Sequence, residues 1–143
     1  GTGDIQLPLA QRATLAGAVI VSTPQDIALL DARKGIEMFQ KVEVPVLGLI
    51  ENMTAHVCSA CGHVEALFGE EGGQQLADRY DVPLLGQIPL RRAIRECSDQ
   101  GRPIVLAEPE GEVAAIYRGA AEQLMKALVE QEPQTTPIIS MGD

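Results

Sequence analysis

The chain has 143 residues and a formal net charge of −9. That length fits a single domain with its own core, and the acidic balance argues against non-specific binding to nucleic acid or to anionic membranes. Aromatic residues make up 3% and tryptophan is absent, so the core must be built from Val, Ile, Leu and Ala, as in a parallel sheet covered by helices on both faces.

In chain order, Gly1-Thr2-Gly3 reads as a turn and Asp4 as the cap of a helix over about 5–15, stopped by Gly17. Ala18–Thr23 is a short β-branched run and reads as a buried strand. Thr23-Pro24-Gln25-Asp26 leads into a helix ending near Lys41, with Ile27, Leu30, Ile36, Met38 and Phe39 as its apolar stripe and Gly35 as a cost within it. Val44–Ile50 is the next buried strand. Residues 51–68 break the alternation, being too rich in Cys, His and Gly for a helix, and a loop or small hairpin is expected there around Cys58-Ser59-Ala60-Cys61. A helix follows over 70–80, then a strand over 83–88 that Pro89 ends. The pattern gives a helix over 90–100, a short apolar piece Ile104-Val105-Leu106 and a long amphipathic helix over 110–131. The segment 133–143 is polar, contains Pro and reads as a disordered tail.

Strands alternating with helices of this length imply an α/β fold with parallel strands and right-handed crossovers. Three apolar strands make a narrow sheet whose edges need neighbours. The chain opens without an initiator Met, so the expectation is a piece of a longer protein whose remaining strands precede Gly1. The domain is expected to span 1–132, with 51–68 as an insertion. No apolar run approaches the ~18–20 residues that cross a bilayer, and no signal-peptide pattern is present.

Two of the three cysteines and both histidines fall between Glu51 and His63. An odd count with two cysteines three positions apart is a poor disulfide framework; it suits a reducing, cytoplasmic setting and a metal or redox role. The Cys58–Cys61 turn can present two thiolates to one side, whereas tetrahedral sulfur coordination wants four ligands. Two chains could each supply a pair; His56 or His63 could complete a zinc site; the pair could be a redox couple; or the loop could be inert. Cys97 reads as a helix cysteine packed in the core. Gly1-Thr2-Gly3-Asp4 could bind an anion through backbone N–H groups, or simply cap a helix. Asn52 and Pro89 follow strands, where parallel sheets bind ligands. No G-x-x-x-x-G-K-[ST] phosphate loop occurs in the chain.

Several stretches together resemble one family. They are Gly1-Thr2-Gly3-Asp4 with Gln6-Leu7; Ser22-Thr23-Pro24-Gln25-Asp26-Ile27-Ala28-Leu29; Gly48-Leu49-Ile50-Glu51-Asn52-Met53; Cys58-x-x-Cys61-Gly62; and Leu85-Gly86-Gln87-Ile88-Pro89-Leu90. Over about residues 1–130 and in this order, they resemble the C-terminal portion of Mrp/ApbC-type iron–sulfur cluster carriers, P-loop ATPases of the MinD/ParA group. The resemblance implies a three-layer α/β/α P-loop NTPase fold, here without its N-terminal strands and Walker A loop. It implies that Cys58 and Cys61 hold a [4Fe–4S] cluster bridging two subunits of a homodimer, which passes the cluster to apo iron–sulfur proteins and meets cluster-assembly scaffolds. It places Gly1, Thr2, Gly3 and Asp4 in a switch element, Asn52 near the adenine of ATP, Pro89 in the adjacent base-side loop and, less directly, Asp26 near the nucleotide and dimer interface. The complete protein is then expected to use ATP and Mg and to be an ATPase; this chain, without Walker A, is expected to be inactive. The alternative from the residues alone is a zinc-binding structural or interaction module.

Overall fold

The β-branched run that begins at Val46 does not stop where its apolar pattern stops. In the computed structural model, which describes residues 4–131, strand β2 runs Val46–Val57 and is the spine of the sheet. On one side it pairs in parallel with β1 (Ala18–Ser22), Ile20 opposite Leu49 and Ser22 opposite Glu51. It also pairs in parallel with β4 (Leu84–Leu90), Glu51 opposite Gln87 and Asn52 opposite Ile88. Its far end turns back on the short antiparallel strand β3 (Val64–Glu65), Val57 opposite Val64. The sheet is thus mixed but mainly parallel, as expected.

Side chains alternate across the strand, and β2 shows it: Leu49 belongs to one apolar cluster and Ile50 packs on the other. The first cluster joins Leu49 to Ala32 and Ile36 of α2 (Asp26–Lys41) and Leu76 and Ala77 of α3 (Gly72–Tyr80). The second joins Ile50 and Ile88 to Ala93 and Ile94 of α4 (Arg92–Asp99), Ile104 of α5 (Ile104–Ala107), and Val113 and Ile116 of α6 (Glu112–Gln131). Helices therefore cover both faces, which is the α/β/α layering. Cys97 packs on the second cluster, as the sequence suggested.

Five local expectations change. Residues 51–57 continue β2 instead of beginning a loop, and the expected hairpin is confined to residues 56–65. Pro89 lies inside β4, which continues to Leu90. The ladder accommodates it because the pairing jumps from Asn52–Ile88 to His56–Leu90; a bulge in β2 stands opposite the residue that cannot donate. The first helix, α1, is shorter (Gln6–Arg12), buries no residue, and its N-cap is Ile5 without a side-chain cap, so Asp4 does not cap it. Gly17 acts by proximity: a Cβ there would lie 2.5 Å from Leu47 Cγ. On α2 the stripe is narrower than expected, since Ile36 is buried while Ile27 is 76% exposed. Gly1, Thr2 and Gly3 and the expected tail at 133–143 lie outside the described residues.

Candidate metal centre and its surroundings

The stem comes first. Glu51 is 2% exposed, and an ionised carboxylate at that depth needs strong partners. It has two: the Gly73 N–H donates to Oε2 at 2.7 Å and Gln87 Nε2 donates to Oε1 at 3.1 Å. Gly73 lies in the first turn of α3, so the carboxylate meets the positive end of a helix. The approach requires a glycine, because a Cβ at position 73 would overlap Glu51 Oε2 and stand 2.7 Å from its Cδ. Glu51 therefore ties β2 to α3 and β4 just where the strand passes toward the cysteines. Sequence reading missed this role, since its partners lie 22 and 36 positions away; Gly-Gly at 72–73 opening a helix was the available signal.

Next along the strand, the Met53 N–H donates to Asn52 Oδ1 at 2.9 Å, and Met53 has φ 58°. A left-handed, non-glycine residue inside a strand is uncommon and marks the bulge opposite Pro89. Asn52 lines a cavity of about 450 Å³ with Gln6, Ser22, Thr23 and Asp31. Asp26, at the start of α2, is not among its lining residues and borders a shallower groove between α2 and α3. Asp4 is exposed in the turn before α1.

At the tip, the Cys58 N–H donates to the His63 carbonyl and the Gly62 N–H to the Cys58 carbonyl, both at 2.9 Å. Gly62, with φ 75°, takes the left-handed conformation that lets the turn close. Cys58 is half-buried and Cys61 exposed, and neither is in a disulfide. Backbone N–H groups of Cys61 and Ala60 and the Cys61 side chain hold the Cys58 thiol below its ordinary range, against the smaller opposing effect of partial burial. A turn that stabilises a thiolate is prepared to ligate a soft metal. Among the described residues, no three or more His, Cys, Asp or Glu side chains gather into a metal-holding group. His56 and His63 thus do not complete a ligand set with the two cysteines.

Cys58 also lines a second cavity, of about 610 Å³, with Thr54, Gln87, Pro89, Arg91 and Glu112. The structure therefore brings Pro89 to the cysteine side and leaves Asn52 in the other cavity. Exposed apolar side chains, Val64, Leu67 and Phe68, stand beside the hairpin.

This arrangement, a mainly parallel sheet between helical layers, is shared with solved P-loop ATPases. The chain is similar to the cell-division ATPase MinD of Pyrococcus furiosus, with a TM-score of 0.61 and 29% identity over 78% of this chain and 43% of that one. It is also similar to a nucleotide-binding protein of Archaeoglobus fulgidus solved in complex with ADP, with a TM-score of 0.63 and 40% identity over 71% of this chain and 42% of that one. The fold is that of a P-loop NTPase, represented in part.

A family model described as ParA, NUBPL iron-transfer P-loop NTPase, matches residues 1–125. The chain belongs to this family. It is 58% identical over 128 residues to the iron–sulfur cluster carrier protein of Salmonella typhimurium, covering 90% of this chain and 35% of that protein. It is 49% identical over 128 residues to the iron–sulfur cluster transfer protein NUBPL of Mus musculus, covering 90% of this chain and 40% of that protein. The chain thus spans between a third and a half of the length of these relatives.

Proposed function

We propose that this chain is the cluster-holding part of an iron–sulfur cluster carrier, and that the cluster is its cargo. Two copies each contribute Cys58 and Cys61, so four thiolates hold one [4Fe–4S] cluster across the seam. The observation that carries this reading is the pair itself: two cysteines on one hairpin tip, with no further metal-ligating side chain gathered beside them among the described residues. A pair supplies half of a four-thiolate set, and a second copy supplies the other half with the same geometry. Exposed Val64, Leu67 and Phe68 around the tip suit a seam covered by protein.

The chemistry the chain performs is to bind and release. The hairpin's N–H groups favour the thiolate form of Cys58, the form that ligates iron. Ligands divided between two bodies separate when the bodies shift slightly, so a seam site can give up its cargo to an apo iron–sulfur protein, or receive it from an assembly scaffold. ATP and Mg act in the longer protein, and ATP binding alters the seam; Asn52 contacts the base side of the nucleotide, with Gly1, Thr2, Gly3 and Asp4 in the switch. Pro89, on the base side in the family pattern, here borders the cavity of Cys58 and fits a place between the two sites. No phosphate loop occurs in these 143 residues, so no step of ATP hydrolysis is assigned to them. Free, closely spaced thiols suit a reducing, cytoplasmic setting.

Anaerobic reconstitution with iron and sulfide tests the reading. It expects a cluster absorbance in a dimer and none in Cys58→Ala/Cys61→Ala. A zinc module is the contrary outcome: zinc in the isolated protein, with no iron uptake.

A further inference from the structure

Arg91 stands just beyond β4 and before α4. Its Nη2 pairs with Glu112 Oε2 at 2.6 Å, yet its Nε is buried with no hydrogen-bond partner, the one such side-chain atom found among the described residues. A buried donor without a partner is costly in a native fold, and a guanidinium carries several donors in a fixed fork. The side chain lines the same cavity as Cys58. Its partner Glu112 is largely exposed, with 67% of its side-chain surface accessible, so that ion pair is weakly held by its surroundings.

The charges make this placement informative. The chain carries −9, so two copies meeting at the hairpin bring two acidic bodies together. A thiolate-ligated iron–sulfur cluster is itself an anion, and its stability and potential respond to nearby charge and hydrogen bonds. Among the described residues that line the Cys58 cavity, Arg91 is the only Lys or Arg.

Resting on the carrier reading above, we propose that Arg91 is a positioning residue for the cargo: its guanidinium turns from Glu112 toward the thiolate and sulfide edge at Cys58 and offsets the cluster's charge. Glu112 holds the guanidinium when no cluster is present and competes with the cargo for it. The seam thus has a cationic latch whose strength is set by an exposed carboxylate. Two roles follow for the one pair, retention of the cluster by Arg91 and ease of release by Glu112.

The test compares wild type, Arg91→Gln, Arg91→Lys and Glu112→Gln after anaerobic reconstitution, reading cluster loss to an iron chelator, reduction potential and thermal unfolding of the cluster-free protein. Arg91→Gln is expected to lose its cluster roughly tenfold faster, the scale of one charged hydrogen bond, and to be harder to reduce. Arg91→Lys restores most of both. Glu112→Gln, which frees the guanidinium, shifts release and potential in the opposite direction to Arg91→Gln. A purely structural ion pair gives another pattern: Arg91→Gln and Glu112→Gln lower the unfolding temperature alike and leave potential and release at wild-type values. That pattern overturns the proposal while leaving the carrier reading standing. Wild type that takes up no cluster overturns the carrier reading, and this inference with it.

Discussion

Glu51 and Cys58 stand on one continuous run of chain, and their surroundings differ in every respect that matters energetically. Glu51 is sealed beneath α3, with both carboxylate oxygens in hydrogen bonds. Cys58 opens a turn whose other members, Ser59 to His63, are exposed and held by two backbone hydrogen bonds. The stem has its chemistry spent on the fold. The tip has its chemistry left over, which is where cargo can bind without competing with packing. The bulge at Met53 and Pro89 separates the two regions, so the hairpin leaves the regular ladder just as the roles change.

Substitutions can break this contrast. The largest effect is expected at the tip and on function alone: Cys58→Ala/Cys61→Ala abolishes cluster uptake, while its unfolding free energy stays within about 1 kcal/mol of wild type, since Cys61 is exposed and Cys58 half-buried. Anaerobic iron and sulfide analysis beside a denaturant titration reads both. A large stability loss in the double variant would mean that the tip is part of the fold.

At the stem the order reverses. Gly73→Ala drives a methyl into the Glu51 carboxylate and is expected to cost about 3 kcal/mol, the upper range for overpacking. Glu51→Gln keeps the shape but sets an amide nitrogen, which cannot accept, against one of the two donors, and about 2 kcal/mol is expected. Urea midpoints measure both, and cluster content per folded protein should change little.

A smaller effect is expected at Cys58. With its thiol held below the ordinary range by the turn's N–H groups, Cys58 of the cluster-free protein should reach half-maximal alkylation rate at a pH below 9.0, the reference for a free thiol. Mass spectrometry of carbamidomethylated peptides across a pH series gives that midpoint. A midpoint at or above the reference would remove the electrostatic preparation of the turn.

The smallest effect lies away from both regions. Tyr80 O–H donates to Glu37 Oε1 at 2.6 Å, linking α3 to α2. This bond, followed by the one from Arg33, depresses the Glu37 pKa. A carboxylate whose folded pKa is depressed contributes stability that is present above its unfolded value of about 4.5 and is lost as pH falls through the lower folded value. Tyr80→Phe removes the largest cause, so its unfolding temperature should fall less steeply below that pH than that of wild type. Parallel slopes would contradict the assignment.

The layered fold was legible because its strands announce themselves: Ala18–Ser22 and Val46–Ile50 are apolar, β-branched runs, and α6 carries a broad apolar face. The extension of β2 was not, because Glu51-Asn52-Met53-Thr54 interrupts the apolar run, and Glu51 owes its place to Gly73 and Gln87, 22 and 36 positions away. Helix α5 was not legible either, since four residues (Ile104–Ala107) carry too little periodicity to name a helix. At the candidate site, spacing alone singles out Cys58 and Cys61 as a pair but leaves metal, redox and inert readings open. Arg91 was not legible: its pairing with Glu112 spans 21 positions and its nearness to Cys58 arises only when β4 ends beside the hairpin.

The central claim is that one cluster is shared between the thiolates of two copies. Its most direct test is to mix wild-type chain with Cys58→Ala/Cys61→Ala, each differently tagged, reconstitute anaerobically, and count iron in homodimers and mixed dimers by native mass spectrometry. The account expects about four iron atoms in wild-type homodimers and none in the mixed dimers, because a single pair of cysteines cannot hold the cluster. Full iron content in mixed dimers, or in wild-type monomers, would contradict it.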